Sequence, residues 1–126
     1  ETVEVLNRLR QSGKITILSS SSANGLRMIA DRTGISPLVD ETLSYEDFPG
    51  RDKKDPRLYS EANEILGSRG LDMWSYVDDK SSHAGAAGRS GVVPVVYYID
   101  RKRKATLREA KQEGFGVIKS LRGISD

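Results

Sequence analysis

The sequence predicts an α/β fold, a Rossmann-like three-layer arrangement of a parallel sheet with helices on both faces, and three observations carry that expectation. Short β-branched runs such as Ile15–Leu18 and Val92–Ile99 alternate with segments of helical periodicity, the order that builds parallel strands through crossover helices. Ile15–Leu18 is a short β-branched run of the kind found in strands covered on both faces. Gly13, Gly34, Asp55-Pro56 and Gly70 punctuate the segments where helices start or stop. With 126 residues, 37% of them hydrophobic and 30% charged, and a formal net charge of +2, residues 1–126 suit one domain around a single core.

The elements follow in order. Val3, Val5, Leu6 and Leu9 recur at helical spacing and give way at Gly13 to the strand Ile15–Leu18. Four serines come next, and one of them caps a helix that carries Leu26, Met28, Ile29 and Ala30 and stops at Gly34. Leu38–Leu43 is a weaker strand candidate, followed by a charged loop from Tyr45 to Lys54. Asp55 as N-cap and Pro56 at the first helical position open a helix that runs through Ala62, Ile65 and Leu66 to Gly70. Trp74–Val77 is a strand ended by Asp78-Asp79, and Ser81–Gly91 is a segment rich in Ala and Gly. Val92–Ile99 is the strongest strand signal; Arg101–Lys104 lead a polar helix that ends near Gly114; Phe115–Ile118 is the last strand. Trp74, Tyr97 and Tyr98 have strand spacing and belong to the core or a sheet edge.

Composition removes several chemistries. With no cysteine, thiol catalysis, thiolate metal sites and disulfides are out, and the one histidine, His83, cannot build a multi-histidine zinc site. A metal site must then use carboxylates and a hard cation. No run of about 18 apolar residues and no signal-like N-terminus occurs, so a soluble, cytoplasmic protein with no membrane partner is the default expectation. Between Asp100 and Glu113 six basic residues face three acidic ones with no aromatic residue interleaved, a solvated helix face rather than a nucleic-acid surface.

The polar residues that remain gather where α/β sheets bind ligands, beyond the carboxyl ends of the strands. Ser19 and Ser20 end one strand, Asp78 and Asp79 end another, and Lys53 lies in the loop before the helix capped by Asp55. Hydroxyls and a helix start suit phosphoryl oxygens, an ammonium is a mobile charge for the same group, and adjacent carboxylates suit Mg²⁺. Together these describe a phosphate and magnesium site.

The same residues resemble the motifs of the haloacid dehalogenase-like superfamily. Ile15-Thr16-Ile17-Leu18-Ser19 is similar to its second motif and Lys53-Lys54-Asp55-Pro56-Arg57-Leu58-Tyr59 to its third. Tyr76-Val77-Asp78-Asp79, continuing through Gly85, Gly88 and Gly91, is similar to the fourth. The resemblance spans about Gly13 to Leu121. It implies that Ser19, with Ser20, holds the transferring phosphoryl group, that Lys53 neutralises it, and that Asp78 and Asp79 bind or orient Mg²⁺. The activity implied is phosphatase action on a small phosphorylated metabolite through an aspartyl-phosphate intermediate. The family's nucleophile is the first Asp of an Asp-x-Asp motif on an apolar strand, and no such motif occurs here. The resemblance therefore reads this chain as a C-terminal core portion, without cap, whose first-motif strand comes from a preceding segment or a partner chain. By itself this chain would be inactive. The alternative is a non-catalytic binding or regulatory module of the same fold. A phospho-receiver is the third option, opposed by the chain order Ser19, Lys53, Asp78.

Overall fold

The computed structural model describes residues 2–19 and 22–124. Its contacts divide into two compact units, one reaching Asp52 and one beginning at Lys53. Both are built of parallel strands and helices.

The first unit runs from helix α1 (Thr2–Arg10) through strand β1 (Thr16–Leu18), helix α2 (Ala23–Thr33) and strand β2 (Glu41–Leu43). β1 and β2 pair in parallel with Thr16 opposite Glu41 and Leu18 opposite Leu43. Ser22 is the serine that caps α2, its side chain accepting from the Gly25 amide, and Gly34 ends the helix in the left-handed conformation. The core gathers Val5, Leu26, Ala30, Leu43 and Phe48. Phe48 comes from the segment expected to be a charged loop, which instead makes a short 3₁₀ turn at Tyr45–Asp47. The weaker strand candidate shortens to β2 because Ser36–Leu38 forms another 3₁₀ turn with Pro37 inside it. Asp40 ties the unit together. One of its carboxylate oxygens accepts from Arg10 at 2.8 Å and the other from the Ile15 amide at 2.8 Å, so the end of α1 and the entries to β1 and β2 share one carboxylate.

The second unit runs from helix α3 (Pro56–Ser68) through strand β3 (Ser75–Asp78), helix α4 (Ser81–Ser90) and strand β4 (Val95–Ile99) to helix α5 (Leu107–Glu113) and strand β5 (Gly116–Ile118). Its sheet is parallel in the order β3-β4-β5, with Asp78 opposite Tyr98 and Tyr98 opposite Val117. Asp55 caps α3 through the Arg57 amide, with Pro56 in the first turn, as the sequence predicts. Leu58, Tyr59, Ala62 and Leu66 of α3, Ala84, Ala86 and Ala87 of α4, and Val96 and Ile99 of β4 are buried in the core of this unit. Trp74 does not join it: it stands ahead of β3 and is 74% exposed.

The polar helix starts later than the sequence predicts. Arg101–Lys104 do not lead it; they form an exposed turn, and α5 begins at Leu107 behind a Thr106 cap. The cause is Asp100, whose buried carboxylate accepts from the amides of Lys104 at 3.1 Å and Ala105 at 2.8 Å. Those amides are thereby withdrawn from helix formation, the competition that makes Asp a turn residue.

Small residues let α4 approach its neighbours. A Cβ on Gly88 would overlap the backbone carbonyl oxygen of Glu113 at the end of α5, whereas one on Gly67 in α3 would meet nothing within 4 Å. The same substitution should therefore have opposite signs. Gly88→Ala is expected to destabilise by about 1–3 kcal/mol through overpacking, and Gly67→Ala to stabilise by up to about 1 kcal/mol through helix propensity. Urea unfolding of the two variants checks the pair.

A second expectation concerns Asp40. Its carboxyl is held below the usual range, first by the Arg10 hydrogen bond and then by the Ile15 amide. A lowered folded pKa gives stability that is present above the unfolded value of about 3.9 and lost as pH falls through the folded one. Asp40→Asn is expected to lower the melting temperature at pH 7, with the gap to wild type closing below about pH 4. A gap of constant size across that range would refute the ion-pair account.

Candidate active site

The second unit brings Lys53 and Asp78 together at the carboxyl end of β3. Lys53 precedes the capped start of α3, and the fully buried Tyr59, one turn into that helix, fixes the lysine's backbone by donating its hydroxyl to the Lys53 carbonyl at 2.7 Å. The same hydroxyl lies 3.2 Å from the carbonyl of His83 in α4. Lys53 then reaches Asp78 with its Nζ 3.1 Å from Oδ2, and the two side chains are only 15% and 7% exposed.

Asp78 is surrounded by donors. The Tyr76 hydroxyl donates to Oδ2, and the Lys80 amide donates to Oδ1 at 2.9 Å. His83 Nδ1 lies 3.2 Å from Oδ2. Period-two alternation places Tyr76 and Asp78 on one face of β3, which lets the phenol reach the carboxylate two residues on. The Tyr76 ring packs edge-on against Tyr59, with centroids 5.0 Å apart, and Lys53 Nζ stands 5.7 Å from its centroid. That range permits cation–π attraction.

These contacts decide the charge state. Burial alone pushes the Asp78 carboxyl up; the Tyr76 hydrogen bond, the Lys53 charge and the Lys80 amide outweigh it and hold the group below its usual range. Tyr76 moves far the other way, its phenol raised by burial first and then by Tyr59 and Asp78. The site holds a carboxylate, an ammonium and a neutral phenol.

Asp79, next in sequence, has a different environment. Its side chain is 55% exposed, with Arg101 Nε 3.8 Å from Oδ2. The two adjacent carboxylates thus differ: Asp78 has both oxygens engaged by protein donors, and Asp79 is open to solvent. Among the described residues no group of three or more His, Cys, Asp or Glu is placed to share one ion. Of these two adjacent carboxylates, Asp79 is the one exposed to a hard cation.

Ser19 lies in the first unit, where it continues the β1 ladder by donating its amide to the Leu43 carbonyl at 2.9 Å. Ser20 lies outside the described residues. Tyr59, Tyr76 and His83 were not legible as site residues. Tyr59 carries no motif of its own, and its role comes from α3 packing on α4. His83 looks like a surface or supporting residue in sequence, and the start of α4 brings it to Asp78.

Removing Asp78 leaves a part-buried ammonium without its counter-ion, while removing the Tyr76 hydroxyl deletes one hydrogen bond to a charged acceptor. Tyr76→Phe is expected to cost about 1.5–3 kcal/mol and Asp78→Ala about 3–5 kcal/mol. Chemical denaturation measures both, and an equal, small loss in the two would mean that the pair is effectively solvated.

Two crystal structures of a dehalogenase are similar to this chain. One, with an intermediate complex, has a TM-score of 0.78 at 25% identity over 96% of this chain and 52% of its own. The other has a TM-score of 0.77 at 25% identity over 95% and 51%. The chain thus spans about half the length of the dehalogenase structures it matches. No protein-family model and no curated protein matches the sequence. Parallel strands, flanking helices and agreement over nearly the whole chain lead to one conclusion: the chain has the haloacid dehalogenase-like fold.

Proposed function

We propose that these residues are the C-terminal core portion of a hydrolase acting on a small phosphate monoester through an aspartyl-phosphate intermediate. The reading rests on the part-buried Lys53–Asp78 pair at the carboxyl end of β3, beside an open Asp79. The nucleophilic Asp would come from a preceding segment or a partner chain. Two observations support that source: the strands fall into two ladders, β1-β2 and β3-β4-β5, and the chain spans about half of its structural neighbours.

The nucleophile's carboxylate would attack phosphorus and expel the alcohol, and water would then hydrolyse the acyl phosphate. Lys53 offsets the charge on the phosphoryl oxygens. Asp78 and Tyr76 hold the ammonium in place, so little reorganisation accompanies binding. By resemblance Ser19, with Ser20, is a further phosphate-binding residue. Asp79 would offer one oxygen to Mg²⁺, which when bound would supply further charge neutralisation.

A second reading, hydrolytic dehalogenation of a small halogenated acid, is favoured by the structural neighbours and by the engagement of both Asp78 oxygens. One experiment separates the two. The protein complemented with its nucleophile-bearing segment is given a phosphate monoester or a 2-halocarboxylate, and released phosphate or halide is measured with and without Mg²⁺. Mg²⁺-stimulated phosphate release is expected, and halide release alone would replace the phosphatase reading with the second. Release of neither product by the complemented protein would leave the binding-module reading. Lys53→Ala should lower turnover by about 10²–10³-fold, the cost of deleting one preorganised charge-stabilising group. Asp79→Ala should raise the Mg²⁺ concentration needed for half-maximal rate while leaving the fold intact.

A further inference from the structure

We infer that the basic turn Arg101–Lys104 is a second anion subsite beside the Lys53 site, so that the substrate carries two anionic groups, the reacting one and a remote phosphate or carboxylate. This rests on the proposed reading of Lys53 and deepens it.

Position is the first argument. β3 and β4 are parallel neighbours about 4.8 Å apart, with Asp78 opposite Tyr98, so the segments that leave their carboxyl ends emerge side by side. A chain of contacts joins them: Lys53 to Asp78 at 3.1 Å, then the adjacent Asp79, then Arg101 at 3.8 Å. The turn therefore sits at the rim of the same strand edge that carries the ammonium.

Preorganisation is the second. The root of the turn is fixed, because the Asp100 amide donates to the Ile118 carbonyl of β5 at 2.9 Å and its buried carboxylate takes the amides of Lys104 and Ala105. Arg103 holds a left-handed φ of 55° inside it. That conformation is unfavourable for a residue with a Cβ, and such strain persists where the surroundings over-determine it. A loop already ordered loses little entropy when it meets a ligand.

Charge is the third. Arg101, Lys102, Arg103 and Lys104 are four consecutive exposed cations, and the Arg101–Asp79 approach at 3.8 Å is a weak, solvated pairing that an anion can replace. The chain's net charge is only +2, so the cluster is a local feature. A helix face in solvent, the sequence expectation for these residues, would spread its charges around an axis. This turn concentrates them at one edge.

The test compares propyl phosphate with propane-1,3-diyl bisphosphate, by isothermal titration of the complemented protein in 50 mM salt without Mg²⁺, so that binding is read in the absence of Mg²⁺-stimulated turnover. Wild type is expected to prefer the bisphosphate by about tenfold, equal to 1.4 kcal/mol of added attraction, and the preference should shrink at high salt. Arg101→Gln/Lys102→Gln/Lys104→Gln should reduce the ratio to about two, the statistical advantage of two identical ends, and the exposure of all three side chains keeps the fold out of question. Using the ratio cancels any general effect of the substitutions on phosphate binding. A tenfold preference that survives in the triple variant, or a ratio near two in wild type, overturns the subsite. Propyl phosphate binding that does not depend on Lys53, tested with Lys53→Met, overturns the underlying reading instead.

Discussion

A lysine ammonium and an aspartate carboxylate meet where little water reaches either, and much of the second unit is arranged around that fact. Taking the two charges out of water costs several kcal/mol per ion, and their attraction repays this only when the remaining lone pairs and protons are also satisfied. Asp78 meets the condition: the Tyr76 hydroxyl, the Lys80 amide, Lys53 and His83 together engage both its oxygens. Tyr59 extends the scaffold one layer further by holding the Lys53 carbonyl. An apolar pair of similar volume would serve stability as well or better. Keeping charges here, at the carboxyl end of a parallel strand where ligands bind, is therefore better explained by what the ammonium does than by what it stabilises.

Small side chains make that arrangement geometrically possible. Ala84, Gly85, Ala86 and Ala87 are all buried in α4, and Gly88 lies against the backbone at the end of α5. With so little bulk between them, α4 settles close to β3, β4, α3 and α5. The start of the helix is then drawn toward the end of β3, which carries His83 to Asp78 and the His83 carbonyl to Tyr59. Glycine inside a helix costs about 1 kcal/mol relative to alanine, and here the close approach offsets that loss.

Local rules made part of this legible in the sequence. A serine cap before α2, the Asp55-Pro56 start of α3 and an apolar strand ending at Ile99 are set by residues within a few positions of one another; the structure assigns the cap to Ser22, opens α3 at Pro56, and begins β4 at Val95, three residues later than the apolar run does. Lys53 and Asp78 stand out in the sequence as candidates because each lies at an element boundary, and the structure brings their side chains together. Their difference from Asp79 was not recognisable, since it depends on which carboxylate faces Tyr76 and Lys53 and which faces solvent. The missed start of α5 has the same origin. Arg101–Lys104 have adequate helix propensity, but the Asp100 side chain reaches forward to two amides, a competition that propensity does not contain. Trp74 shows the limit of pattern reasoning: strand spacing placed it in the core or at an edge, and the strand begins one residue after it.

Charge of both signs is therefore interleaved along one edge of the second unit, and the burial of each group determines what it contributes. Asp100 is buried and spends its charge on backbone amides; Asp78 is buried and spends its charge on Lys53. Neither adds much negative potential in solution. The cations of the turn are exposed, and at physiological salt their field reaches about 8 Å before screening removes most of it. Within that distance an approaching anion meets the four cations of Arg101–Lys104, with Asp79 the exposed carboxylate that approaches Arg101. Formal counting along the sequence gives Asp78, Asp79 and Asp100 against Arg101–Lys104, close to balance. Burial converts that near-neutral tally into a positive rim, so selectivity for anions at this edge arises from folding rather than from composition.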